Sequence, residues 1–390
     1  MGWEEQALVA PLVCWKMLNK MTGNIPFTTL VRNLPASVPF VGPEALERQN
    51  NRALEIRIGA NESAFGISPK AAEAMRAEVD RISWYADPEG HDLKLEIASR
   101  YGIDMHEVCL GGGVDELLGL VVRMVVEPGT PVVTSLGAYP TFNYHVEGFG
   151  GILHKVPYLN DHIDLQQLSD TVKRLNAPLV YLANPDNPMG TWHDARAVRN
   201  FIDALPDNCV LVLDEAYIEF GPPGVDFAID VDDPRVIRMR TFSKAHGMAG
   251  ARVGYAMGER TLIESFNKVR NHFGMNRLSI AGALASLRDE SFIHSVIEQV
   301  ENGRQHYYRL AEECGLKTLP SATNFVAIDI GSGDAARALL SALLERDVFV
   351  RMPGVPPLDR CIRVTVGTDE QRNRFAQVLP HALKAIGNVR

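Results

Sequence analysis

Short apolar runs alternate with segments of helical period through the middle of the chain. Between about residues 90 and 285 the runs are Pro131–Ser135, Ile152–Val156, Leu179–Ala183, Val210–Leu213, Val236–Met239 and Val253–Met257. Runs such as Val210-Leu-Val-Leu213 are apolar at every position, the pattern of a parallel strand covered on both faces. Strands alternating with helical stretches predict an α/β fold, a mainly parallel sheet with helices on both sides. Apolar residues at 114, 117, 118, 121, 122 and 125 predict a helix that opens at Gly111-Gly-Gly113. Beyond 285 the pattern changes. A long polar helix over 289–314, a strand over Asn324–Ile330, a helix over 334–346 and a strand over Cys361–Val366 predict a smaller α+β lobe. The expected division is an N-terminal arm over 1–50, a large domain over 76–285, and a small domain from 51–75 with 286–390.

Chemistry gathers where the apolar runs end, as expected of open α/β sheets, which bind ligands beyond the carboxyl ends of their strands. One run leads into Thr241-Phe-Ser-Lys-Ala-His-Gly-Met-Ala-Gly-Ala-Arg252. Lys244 there has a hydroxyl, a guanidinium and no acid near it in sequence. Such a setting suits an amine that attacks a carbonyl, although a lone lysine also reads as a solvated charge. Ser243 and Arg252 suit a phosphate beside it. An amine that condenses with an aldehyde next to a phosphate points to pyridoxal phosphate. That cofactor also needs a carboxylate at its pyridine nitrogen, and Asp214, ending Val210–Leu213, supplies one or else caps a helix. Tyr217 lies three residues on. Asn184-Pro-Asp-Asn-Pro188 reads either as a plain turn or as a rigid loop that points the Asn187 amide at a ring oxygen. The three glycines before Val114 allow close backbone approach, and the free amides of the helix start form an anion site. No Gly-Lys-Ser/Thr follows them, so this is not a nucleotide-binding P-loop.

Together these segments resemble the fold-type I pyridoxal-phosphate enzymes, and within them the class II aminotransferases of the histidinol-phosphate type. The resemblance runs from about Leu34 to the C-terminus. It implies that Lys244 carries the cofactor and that Asp214, Asn187 and Tyr217 hold the ring nitrogen and oxygen. It implies further that Tyr139 stacks on the ring and that Gly113, Val114, Asp115, Thr241, Ser243 and Arg252 surround the phosphate. Tyr85 would reach the phosphate of a neighbouring subunit, giving a homodimer with shared sites. Arg363, in Cys-Ile-Arg-Val-Thr-Val, would clamp a substrate carboxylate, with Arg351 as a second arginine and Asn61 and His272 near the substrate. The chain departs from the family pattern at Asn61-Glu-Ser-Ala64, where Asn-Glu-Asn-Pro is usual, and at His272, where a proline is usual. The expected reaction is transfer of an amino group to a 2-oxo acid, with histidinol phosphate or an aromatic or other amino acid as donor. A decarboxylase or lyase of the same fold is the alternative.

Composition narrows the partners. A net charge of −9 offers no overall basic character for nucleic acid or anionic membranes. The first fifty residues have no helix-turn-helix pattern, which argues against an aminotransferase-like sensor of a transcription regulator. The five cysteines are scattered without a Cys-x-x-Cys pair, which argues against disulfides and a metal site and for a cytoplasmic protein. The apolar run Ala7–Trp15 follows two glutamates and is too short to span a membrane, and Met21 is an alternative start.

Overall fold

The computed structural model describes residues 25–36 and 41–387. Ala7–Trp15 and Met21 lie outside them. Residues 25–36 hold one short helix, Thr29–Asn33, capped by Thr28 Oγ1, which accepts the Val31 N–H at 3.2 Å. Within residues 41–387, part of the expected arm is also helical. Pro43–Asn50 starts on a proline at its first turn and presents Glu44 and Glu47 to Arg57, at 2.8 and 2.6 Å.

A seven-stranded sheet forms the centre, in the order Val108–Gly111, Gly254–Met257, Val236–Thr241, Val210–Asp214, Leu179–Ala183, Pro131–Ser135, Ile152–Val156. Only Gly254–Met257 runs against the others. The strand Val108–Gly111 is additional to the sequence expectation, being four residues long and ending in the glycine run. Alternate residues of each strand serve different cores. Leu179, Tyr181 and Val212 pack with the helix Val114–Val125, whereas Val180, Leu182, Leu211 and Leu213 pack with the helices Leu165–Leu175 and Ala195–Ala204. Both faces are covered, which is why these runs carry no alternation.

Charge interrupts this pattern at one place. Arg238 and Arg240, alternate residues of Val236–Thr241, are 2% and 4% exposed. Glu215, itself 2% exposed, accepts from Arg238 Nη2 at 2.6 Å and Nε at 3.0 Å, and from Arg240 Nε at 3.0 Å. Asp226 Oδ1 joins both guanidinium groups at 3.1 and 2.8 Å. Burial pushes the Glu215 carboxyl up, but Arg240 and Arg238 outweigh it and hold the group below its ordinary range. Removing one member leaves buried charge uncompensated. Glu215→Gln is therefore expected to lower unfolding stability by about 3–5 kcal/mol in urea titrations. A loss under about 1 kcal/mol would mean that the arginines find other partners.

The C-terminal stretch builds a second core. Strands Lys317–Thr318, Phe325–Asp329 and Cys361–Thr365 form an antiparallel sheet, with helices Glu290–Glu313, Gly333–Leu344 and Asp369–Ile386 around it. Ile56–Arg57 pairs in parallel with Val348–Phe349, and Ile56 and Ile58 enter this core. The next helix, Pro69–Ala77, packs instead on the helix Arg277–Leu287. Gly282 makes room for it, since a Cβ there would lie 2.7 Å from Met75 Cγ. Among the described residues no helix is long and apolar enough to cross a membrane.

Candidate active site

The carboxyl ends of the central strands bring most of the expected residues together. Lys244 follows the strand Val236–Thr241. Its Nζ donates to the Asn61 carbonyl at 2.9 Å and lies 5.5 Å from the centre of the Tyr217 ring. Asn61, at φ 56°, donates its amide to Tyr217 Oη at 2.9 Å. Two residues beyond the sequence expectation hold it there. Thr365 Oγ1 accepts the Asn61 N–H at 3.0 Å, and Asn324 donates to the Asn61 carbonyl at 3.1 Å. Both are short polar residues at ends of apolar strands, with no distinguishing sequence signal.

Asp214 ends its strand, 5% exposed. Its Oδ1 accepts the Ala216 N–H at 3.0 Å and its Oδ2 accepts the Tyr181 hydroxyl at 2.7 Å. Burial raises its pKa to about 6; the two donors oppose the rise, while Asp115 and Glu215 add to it. The helix-cap reading of Asp214 gives way, since no α-helix starts there and the carboxylate faces Tyr181.

The end where a phosphate is expected, hereafter the phosphate-sized end, is built from backbone and hydroxyls. Gly113, at φ 86°, precedes the helix that starts at Val114. At that φ any side chain is strained, and a Cβ would also lie 2.4 Å from Arg252 Nη2. Thr241 Oγ1 donates to Ser243 Oγ at 3.0 Å, and Arg252 reaches Ser243 Oγ at 3.4 Å and Asp115 Oδ2 at 3.1 Å. Tyr139 stands immediately before the helix Pro140–Gly148, half-buried, with its phenol toward Thr141 and Asp115; burial pushes that phenol well up.

The third group lies on the C-terminal sheet. Arg363 donates through Nη1 to Asn187 Oδ1, its Nε is buried without a partner, and its guanidinium lies 5.2 Å from the Phe325 ring centre. Burial lowers its pKa to about 10, so it stays charged at neutral pH. Arg351 pairs with Arg363 through the backbone and donates to the Val41 carbonyl at 3.0 Å. Beside Asn187, Asp186 is 2% exposed and accepts from Tyr158 Oη at 2.9 Å, and burial raises it to about 7.

Two expected residues stand apart. Tyr85 is 79% exposed, its ring 4.7 Å from Phe273, and His272 lies exposed on the same loop. Gly274 of that loop approaches Glu116, placing the loop beside the phosphate-sized end rather than beside Arg363. His246 belongs to the core. Its Nδ1 is 2.8 Å from Ser286 Oγ, and burial lowers its pKa to about 3.

These residues fit the cofactor that the sequence implied. A helix start with an obligatory glycine, two hydroxyls and an arginine suit a phosphate. A buried carboxylate suits a pyridine nitrogen, an amide and a phenol suit a ring oxygen, and a half-buried amine suits an aldehyde. The family model for aminotransferase class I and II matches residues 55–379. A histidinol-phosphate aminotransferase of Carboxydothermus hydrogenoformans is 34% identical over 362 residues, covering 91% of this chain and 99% of its own length. One from Geobacillus thermodenitrificans is 32% identical over 359 residues, covering 91% and 97%. The crystal structure of a histidinol-phosphate aminotransferase from Sinorhizobium meliloti with pyridoxal-5'-phosphate superposes with a TM-score of 0.91 at 49% identity, covering 94% of this chain and all of that one. With the strand-end lysine, carboxylate and anion cradle in place, this chain belongs to the class I and II aminotransferases.

Proposed function

We propose that this pyridoxal-phosphate-dependent aminotransferase moves an amino group between histidinol phosphate and a 2-oxo acid. The observation that carries the reading is Arg363, half-buried with a buried, unpartnered Nε, set beside Arg351 and held by Asn187. Such a pair serves an anionic substrate end, phosphate in one half-reaction and carboxylate in the other, and the relatives named above act in support. The bound cofactor supplies an aldehyde to receive the amino group and a pyridine ring to accept electron density. Lys244 Nζ removes the proton at the substrate Cα. Asp214 keeps the ring nitrogen protonated, Tyr217 and Asn187 hold the ring oxygen, and Tyr139 covers the ring face. Thr241, Ser243, Arg252 and the amides from Gly113 to Asp115 hold the phosphate. Asn61 fixes Tyr217 beside the lysine.

The test is a donor panel with 2-oxoglutarate as acceptor. Histidinol phosphate is expected to exceed histidinol, the same donor without its phosphate, in kcat/KM by at least about 100-fold, because a site built for a charged group is left unpaired by an uncharged one. Equal or greater turnover of histidinol or of phenylalanine would overturn the assignment.

We also infer a cytoplasmic homodimer. Ile82, Trp84, Tyr85 and Phe273 are 63%, 67%, 79% and 54% exposed, an apolar patch that a second copy would cover. It lies beside the phosphate-sized end, so Tyr85 reaches the neighbour's phosphate. Mixing Tyr85→Phe with Lys244→Ala protomers is then expected to give hybrids with one intact site, more active than either parent. Hybrids no more active than the parental mean would place Tyr85 in its own subunit's function. The small lobe, residues 51–75 with 286–390, is read as moving against 76–285 to bring Arg363 onto the substrate, supported by its having a three-stranded sheet of its own.

A further inference from the structure

Tyr181 lies at the middle of the strand Leu179–Ala183 and is 1% exposed. Its side chain shares the face of the sheet that carries Val212 and Asp214. The hydroxyl donates to Asp214 Oδ2 at 2.7 Å, and the ring stacks on Phe142, with centres 4.6 Å apart and planes at 18°. A phenylalanine would fill the same apolar space. What the tyrosine adds is one oxygen, directed at one carboxylate oxygen.

That donor acts where the charge balance is unfavourable. Asp115 and Glu215 both press on Asp214 with like charge, and the arginines on the opposite face, Arg238 and Arg240, are taken up by Glu215. Tyr139 and Asp186 are the other titratable groups that act on Tyr181. The donors to the Asp214 carboxylate are the Ala216 N–H and the Tyr181 hydroxyl, one for each oxygen. A carboxylate crowded by negative charge is a stronger base, and a hydrogen bond to its ionised form makes it weaker.

We propose that Tyr181 is a positioning residue for the reaction. Its hydroxyl fixes the orientation of the Asp214 carboxylate and lowers its basicity, so that the proton shared with the pyridine ring stays on the nitrogen. This rests on the reading of Asp214 as the ring-nitrogen partner. A more basic Asp214 takes that proton back and leaves the ring a poorer acceptor of electron density. Phe142 ties the same tyrosine to the helix that follows Tyr139, so the ring's stacking residue and its nitrogen partner are anchored through one side chain.

The experiment loads the protein with pyridoxal phosphate labelled with nitrogen-15 in the ring and reads the nitrogen resonance. Tyr181→Phe is expected to move the resonance toward its unprotonated position, and to lower kcat about 10-fold with KM for the amino donor within about 3-fold. Replacing Tyr181 by 3-fluorotyrosine, a stronger donor of the same shape, moves the resonance the opposite way. This keeps the test open should the phenylalanine variant fold poorly. Phe142→Leu disturbs the stack but keeps the hydroxyl, and is expected to lower the melting temperature without moving the resonance. A resonance unmoved in Tyr181→Phe, or moved as far by Phe142→Leu, overturns the proposal. Asp214→Asn is run alongside. If it too leaves the resonance unmoved, the ring-nitrogen assignment of Asp214 falls; if it alone moves the resonance, only the role of Tyr181 falls.

Discussion

Lys244→Ala is expected to lower the transamination rate by at least about four orders of magnitude, the upper range for removing a positioned proton-transfer group. The geometry gives the reason. Nζ emerges between the Asn61 carbonyl and the Tyr217 ring. His246, two residues away, is turned into the core and bonded to Ser286, and burial holds it neutral. The other cofactor-holding groups do not depend on the lysine. The variant should therefore still bind pyridoxal phosphate, as measured by absorbance after gel filtration. A residual rate within about 10-fold of the parent would show that another group moves the Cα proton.

Asp214→Asn should act in opposite directions on stability and on cofactor binding. Burial raises the carboxyl from its ordinary value to about 6. A carboxyl raised on folding favours the folded state while protonated, and that contribution fades as pH climbs from about 4 through 6. Above pH 6 the cofactor-free protein carries a buried anion that the asparagine removes. The variant is then expected to be more stable than the parent by roughly 1–3 kcal/mol at pH 7.5, and equally stable at pH 4. Its affinity for pyridoxal phosphate should fall by about 30- to 5,000-fold, since one partner of a buried charge pair has been removed. Thermal melts of the cofactor-free proteins at the two pH values and a cofactor titration check both arms. A variant less stable at pH 7.5 would show that the hydrogen bonds from Tyr181 and Ala216 outweigh the buried charge.

How much of this could be read in the sequence depended on whether the signal was local. Runs such as Leu179–Ala183 announced themselves because a strand covered on both faces is apolar throughout, and its carboxyl end is where the chemistry sits. Lys244, Asp214 and Asn187 were legible for that reason. Val108–Gly111 was not, because four residues merging into glycines carry too little pattern. Tyr181 was invisible as a polar residue, since within an apolar run a tyrosine reads as packing. Arg238 and Arg240 were present as alternate charges in an apolar strand, but their partner Glu215 lies just past the end of the neighbouring strand, a relation that periodicity does not encode. Thr365 and Asn324 reach Asn61 from more than 260 positions away in sequence. The resemblance supplied Tyr85, whose exposed position within one chain offers no local reason for a role.

The consecutive carboxylates at 214 and 215 also bear on how the chain finds its pairing. Val210-Leu-Val-Leu213 is apolar on both sides, so the hydrophobic effect alone scarcely distinguishes the observed alignment from one slipped by a single residue. The charged residues break that tie. In the observed alignment the longer carboxylate reaches the two buried arginines, and the shorter one meets a tyrosine hydroxyl on the other face. A slip would withdraw Glu215 from the guanidinium groups and turn it toward the apolar helix layer. The ion cluster thus acts as a proofreading mark for strand alignment, and the residue whose placement it guarantees is the neighbouring Asp214.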